Sequence, residues 1–168
     1  LQTSALSFIK ELPDIKPKEL VIKTNRILYE NIRNRLDSTH FMTLSFLCCS
    51  KDGIVEISGK HLPVIIYRYN QQKCEIYDAR GFWIGIMPEI TDKIKSYTIK
   101  LNKNDQIFLY SDGIIEARDN NRTSYGYDRL ITSIEKQYKD NRSVKDIVHG
   151  VLSDVKAFIK NQDDDMTI

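Results

Sequence analysis

Two groups of carboxylates are the residues of this sequence most able to do chemistry. The first closes an apolar run, Ile107-Phe108-Leu109-Tyr110-Ser111-Asp112-Gly113-Ile114-Ile115-Glu116. A carboxylate at a strand end is held in place by the sheet, and Gly113 allows the backbone to turn sharply after it. Such an oxygen donor suits a hard cation, Mg²⁺ or Mn²⁺. Taken alone, these residues read more simply as a plain Asp-Gly turn. The second group is Asp163-Asp164-Asp165, followed by Met166-Thr167. Adjacent carboxylates repel unless water or a cation neutralises them. The group reads as an acidic loop or, because an apolar residue and Thr follow, as a sheet end like that of Asp112.

Other chemically capable residues carry less. Asp119-Asn120-Asn121-Arg122-Thr123 has the opening of a calcium loop. Its sixth position is Ser124 where Gly is needed and its twelfth is Leu130 where Glu is needed, so it reads as a solvated loop. His40, His61 and His149 show no Ser/His/Asp or Cys/His spacing and read as surface or packing residues. The three cysteines, Cys48, Cys49 and Cys74, have no metal-site spacing and cannot all pair, which suits a reducing cytosol. Cys48-Cys49 falls in an expected strand, so one should face the core and the other away. Trp83 is expected in the core.

The elements that must position these groups follow from periodicity. Leu20, Val21, Thr24, Ile27, Leu28, Ile32 and Leu36 recur at helical spacing. Pro17 suits the first turn and Asp37-Ser38 the exit, which predicts a helix over 17–37. A shorter helix is expected over Ser4–Leu12. Short β-branched or aromatic runs follow at Phe41–Cys49, Ile54–Ser58, Val64–Tyr69, Cys74–Asp78, Ser96–Leu101 and Gln106–Ser111. Asp52-Gly53 signals a hairpin, and the spacing suggests consecutive antiparallel strands. Tyr127, Leu130, Ile131, Ile134 and Tyr138 share one helical face, and Ser143 could cap a last helix carrying Ile147 to Ile159. Helices, about six strands, then helices argue for an α+β layered domain.

Composition bounds the rest. The 168 residues suit one domain at roughly 100–200 residues each. Hydrophobic residues at 41% and charged residues at 29% fit a globular chain. A net charge of +2 gives no reason to expect nucleic-acid or membrane binding. No apolar run approaches the roughly 18 residues of a membrane span. The Leu1-Gln2-Thr3 start and the Met166-Thr167-Ile168 end suggest a piece of a longer protein.

Several segments, in order, resemble PPM-type metal-dependent serine/threonine phosphatases of the bacterial sporulation stage II protein E and sigma-factor-regulator subgroup. Asp105 to Arg118 resembles the "GD-x-(apolar)-YTDG-(apolar)-x-EAR" signature, and Tyr125-Gly126-Tyr127-Asp128-Arg129-Leu130 matches "(F/Y)G-x-x-RL". Gln162 to Thr167 matches "Q-x-DD-(apolar)-T", Phe41-Met42-Thr43 an "F-(V/M)-T" strand, and Ile84-Gly85-Ile86 an "LG(I/V)" segment.

The resemblance implies an α-β-β-α sandwich and phosphoserine or phosphothreonine hydrolysis by water activated on a metal pair, Mn²⁺ or Mg²⁺. It makes Asp112 and Asp164 metal ligands, with Gly113 and Asp165 in support and Glu116 structural or facing substrate. Two early family motifs, "GD-x-(Y/F)-D" and "D-(V/I)-x-GHG", are absent, so the fold is expected to lack N-terminal strands and to be cut within its last one. Two carboxylates carry −2 against +4 for two ions, so weak metal binding and little activity are expected of this segment. Lys60, beside His61, stands where relatives usually carry the His of "AGH-x-P-P". The expected substrate is a phosphoserine regulatory protein, such as a STAS-type anti-sigma-factor antagonist. A sensor or receiver domain upstream, a cytoplasmic location with a parent that could be membrane-anchored, and homodimerisation through exposed strand edges complete the expectation. The alternative is a non-catalytic phosphatase-like module that binds a signalling partner.

Overall fold

The computed structural model describes residues 2–35, 40–78, 81–138, 143–159 and 164–168. In chain order the elements are α1 (Gln2–Glu11), α2 (Pro17–Arg35), β1 (Leu44–Cys49), β2 (Ile54–Lys60), β3 (Val64–Arg68), β4 (Lys73–Tyr77), β5 (Ser96–Lys100), β6 (Gln106–Phe108), α3 (Asp112–Ile115), α4 (Gly126–Tyr138) and α5 (Val144–Phe158). This is the expected order of helices, six strands and helices. Two compact units divide it: Leu1–His61 with Asp78–Leu101, and Leu62–Tyr77 with Asn102–Ile168.

The first unit holds a three-stranded antiparallel sheet in the order β1-β2-β5. Asp52-Gly53 makes the β1–β2 turn as expected. Gly53 has φ +75, and a Cβ there would lie 2.9 Å from the Leu101 carbonyl oxygen, so the turn needs glycine. Helix α2 packs on β1 and β2 with Leu20, Val21, Thr24 and Ile32 buried. Asn25, fully buried, accepts the N–H of Gly85 at 2.8 Å and donates to the carbonyls of Met87 and Pro88 at 3.0 and 3.2 Å. A buried amide satisfied on both sides fixes the loop against the helix. The expected helix exit, Leu36 and Asp37-Ser38, lies outside the described residues.

Some expectations fail here. The strand expected from Phe41 starts at Leu44, and Met42 makes only an isolated bridge with Ile84. Cys48 and Cys49 are both exposed, at the end of β1, an outer strand of this sheet whose first four residues are only half-buried. Trp83 is 43% exposed, with Phe41 and Phe82 as ring neighbours at 5.7 and 6.3 Å. Its bulk sits beside the buried Ile84 and does not enter the core.

The second unit holds the other antiparallel sheet, in the order β4-β3-β6. Strands β2 and β3 are consecutive yet do not pair; the chain changes sheet between them, at a stretch ending in Pro63, which has no N–H to donate. Every residue of β3 is buried. Ile65, Tyr67 and Phe108 share a core with Ile114, Leu130, Ile134, Ile147, Val151 and Val155. A Cβ at Gly150 would lie 2.3 Å from the Gln137 side chain, so glycine lets α4 and α5 pack closely. Ser143 caps α5 as expected, its hydroxyl accepting the Asp146 N–H at 3.3 Å. Strand β6 ends at Phe108, short of the expected Ser111, and Asp112-Gly113 starts a helical turn where a plain turn was the simpler expectation.

Candidate functional site

The segment leading to Asp112 is anchored before it turns. Tyr110 is buried, and its hydroxyl donates to the Pro63 carbonyl at 2.8 Å. Burial, reinforced by Tyr127, raises the pKa of that hydroxyl, which keeps it a donor. Ser111 then makes three bonds to the end of the chain. Its N–H donates to the Thr167 carbonyl at 3.0 Å. Its hydroxyl donates to the Asp165 carbonyl at 2.9 Å and accepts the Thr167 N–H at 3.0 Å.

Asp112 opens α3, and the Glu116 N–H donates to its carbonyl at 2.8 Å, closing the turn. The Asp112 Oδ1 accepts the N–H of Gly113 at 3.1 Å. A Cβ at Gly113 would lie 2.3 Å from the Asp165 carbonyl oxygen and 3.4 Å from the Asp164 Cβ. Gly113 has an ordinary φ; it is required for the close approach and not for its backbone angle. Asp164 accepts the Asp165 N–H at 2.7 Å. The carboxylates of Asp112, Asp164 and Asp165 stand in exposed residues, while Gly113 is buried.

The structure therefore brings together the four residues singled out from sequence: Asp112, Gly113, Asp164 and Asp165. Asp163 and Gln162 lie outside the described residues. Glu116 is exposed and contributes its backbone to α3. The donors fit Mg²⁺ or Mn²⁺ in kind, being carboxylate oxygens open to water. In number they fall short of a closed site: among the described residues no three or more His, Cys, Asp or Glu side chains are grouped to hold a metal.

Other sequence candidates have local surroundings of their own. Asp119 folds its loop on itself, accepting the N–H groups of Asn121 and Thr123 at 2.8 Å each, as expected of a solvated loop. His61 Nδ1 and Thr43 Oγ1 are 3.0 Å apart. Lys60 lies 3.9 Å from Asp78 in a partly exposed pair. His149 is exposed on α5. No helix among the described residues is long and apolar enough to cross a membrane. Sequence reading missed Ser111; the available signal was a hydroxyl residue directly before the Asp-Gly pair. It also missed the ion pair of Arg68 with the buried Asp105 carboxylate, 2.8 Å apart, signalled by an arginine closing the apolar run Val64–Arg68.

Comparison with known proteins gives the family and the fold. The family model of stage II sporulation protein E matches residues 2–168. The phosphoserine phosphatase RsbU of Bacillus subtilis is 29% identical over 111 residues, covering 64% of this chain and 31% of that protein. The chain thus spans under a third of this relative's length. The SiaA-PP2C domain of Pseudomonas aeruginosa superposes with a TM-score of 0.75 at 12% identity, over 98% of this chain and 63% of that one. The Mn-presoaked phosphatase domain of SpoIIE from Bacillus subtilis gives 0.59 at 18% identity, over 97% and 70%. Those two likenesses give the fold, a PP2C-type α+β architecture with antiparallel sheets. A match running from residue 2 to residue 168 assigns the chain itself: it belongs to the stage II sporulation protein E family.

Proposed function

We propose that this chain is the catalytic region of a metal-dependent protein serine/threonine phosphatase. The observation that carries the reading is the seat at Gly113, where the absence of a side chain lets the Asp164-Asp165 backbone lie against the start of α3. Asp112 and Asp164 are the residues that would hold Mn²⁺ or Mg²⁺. Asp165 has its carbonyl engaged by Ser111, so its carboxylate is the part left to support the site. When bound, such ions acidify a water and neutralise charge on the phosphoryl oxygens. The chain's own work is to position the two carboxylates, through the bonds of Tyr110 and Ser111 and the first turn of α3.

The substrate is a phosphoserine on a regulatory protein, of which a STAS-type antagonist is the leading class. RsbU, named as a phosphoserine phosphatase, supports that reading. The segment as it stands holds metal weakly, since −2 does not balance a metal pair. The domain acts behind a sensor or receiver module.

Phosphate release from a phosphoserine protein with and without Mn²⁺ tests this, with the full natural chain run beside this one and Asp112→Asn made in each. The expected result is Mn²⁺-dependent release from the full natural chain that Asp112→Asn abolishes, with little release from this chain alone. Release that ignores both the metal and the substitution would refute it. The two absent early motifs and Lys60 in place of the usual His favour one second reading, a non-catalytic module that docks a signalling partner. It predicts no release from either folded chain.

A further inference from the structure

Ser111 occupies the N-cap of α3, with extended backbone angles of φ −88 and ψ 159. A serine there ordinarily accepts an N–H from the first helical turn through its hydroxyl. Ser111 does not; it makes no side-chain cap bond. Its hydroxyl is used on the far segment, donating to Asp165 at 2.9 Å and accepting from Thr167 at 3.0 Å. Both hydrogen-bonding roles of the hydroxyl go to the chain that carries Asp164, and its own N–H adds a third bond to Thr167 at 3.0 Å.

The helix gives up a cap, and the two carboxylate-bearing segments gain a strap. We propose that Ser111 is a positioning residue that sets Asp164 relative to Asp112 and so tunes the affinity of this pair for a divalent cation. The proposal rests on the phosphatase reading above. The strap grips the two successive peptide units that flank Met166: it pulls on the Asp165 carbonyl while holding the Thr167 N–H. Gly113 removes the steric obstacle to the approach, and Ser111 supplies the attraction. Without the hydroxyl, the backbone bond to Thr167 remains, so the chain end stays attached while its register against α3 loosens.

The test uses this chain with Ser111→Ala and Ser111→Thr, Mn²⁺ as the probe, and two NMR readouts. The first is hydrogen exchange of the Thr167 amide without metal. The second is the Mn²⁺ concentration that broadens the Gly113 and Asp165 amide signals. We expect Ser111→Ala to speed Thr167 exchange at least about tenfold and to raise the required Mn²⁺ about tenfold, the lower end of what loss of a supporting residue does to a metal site. Exchange at Ile134 and Val151, in the core, should not change, and Ser111→Thr, which keeps the hydroxyl, should restore both readouts. Broadening in the parent that Ser111→Ala leaves unchanged overturns this inference alone. A parent chain whose Gly113 and Asp165 signals do not respond to Mn²⁺ overturns the metal reading, and this inference with it.

Discussion

Asp105 and Asp112 stand at the two ends of the stretch that contains β6, and the fold treats them in opposite ways. The Asp105 carboxylate is 1% exposed and 2.8 Å from Arg68 Nη1. It also accepts the N–H groups of Tyr69 at 3.0 Å and Asn102 at 2.9 Å. Arg68 in turn reaches Glu75 and Tyr77 at 2.7 and 2.6 Å. Asp112 is exposed, and among the described residues its carboxylate has one partner, the neighbouring Gly113 N–H. A buried carboxylate with a cation and two backbone donors is committed to structure. A carboxylate left open beside a second one retains oxygens for a ligand from solution. The difference commits Asp105 to stability and leaves Asp112, the proposed metal ligand, open to solvent.

The comparison breaks most visibly at Arg68. Arg68→Met strands the buried Asp105 carboxylate without its cation and should cost about 3–5 kcal/mol in denaturant unfolding. A loss under about 1 kcal/mol would mean that the group is not a structural anchor. Gly113→Ala forces a methyl into the space of the Asp165 carbonyl. It should cost about 1–3 kcal/mol, the usual range for overpacking, and weaken Mn²⁺ binding more than Ser111→Ala does.

Acid should act through the first aspartate. Burial would raise the pKa of Asp105, but bonds from the Asn102 N–H, Arg68 and the Tyr69 N–H hold it below the ordinary carboxylate range. A pKa lower in the folded state means that the unfolded chain binds more protons. The stabilisation is therefore present in full above the unfolded value of about 3.9 and is lost as pH falls through the folded value. Asp105→Asn should flatten the acid limb of a stability–pH curve below about pH 4. An unchanged limb would place the acid sensitivity elsewhere. The smallest effect belongs to the second aspartate: Asp112→Asn should shift unfolding by no more than about 0.5 kcal/mol, because nothing in the fold depends on its charge. A large loss of stability would make Asp112 structural after all.

Local signals reached most of this fold. Pro17, the Asp52-Gly53 turn and the Ser143 cap act within a few residues of themselves, so the elements they punctuate could be read from sequence. Side-chain burial at Cys48, Cys49 and Trp83 could not, because it depends on which strand lies outermost in a sheet and which loop is covered. The same limit explains the end of β6. Its apolar run continues through Tyr110, but the backbone leaves the sheet because Ser111 bonds to Thr167, a partner remote in sequence. The candidate aspartates were legible as motif matches. Their juxtaposition was not, since it rests on the close approach at Gly113 and on the Ser111 hydroxyl.

Asp112 and Asp164 are proposed to act on one cation. A double-mutant cycle on Mn²⁺ affinity, with Asp112→Asn, Asp164→Asn and both together, tests this most directly. For a shared site, either single change weakens binding at least about tenfold and the double change costs little more than either alone. Two small, additive losses would contradict it, leaving two independent surface carboxylates where a shared site was proposed.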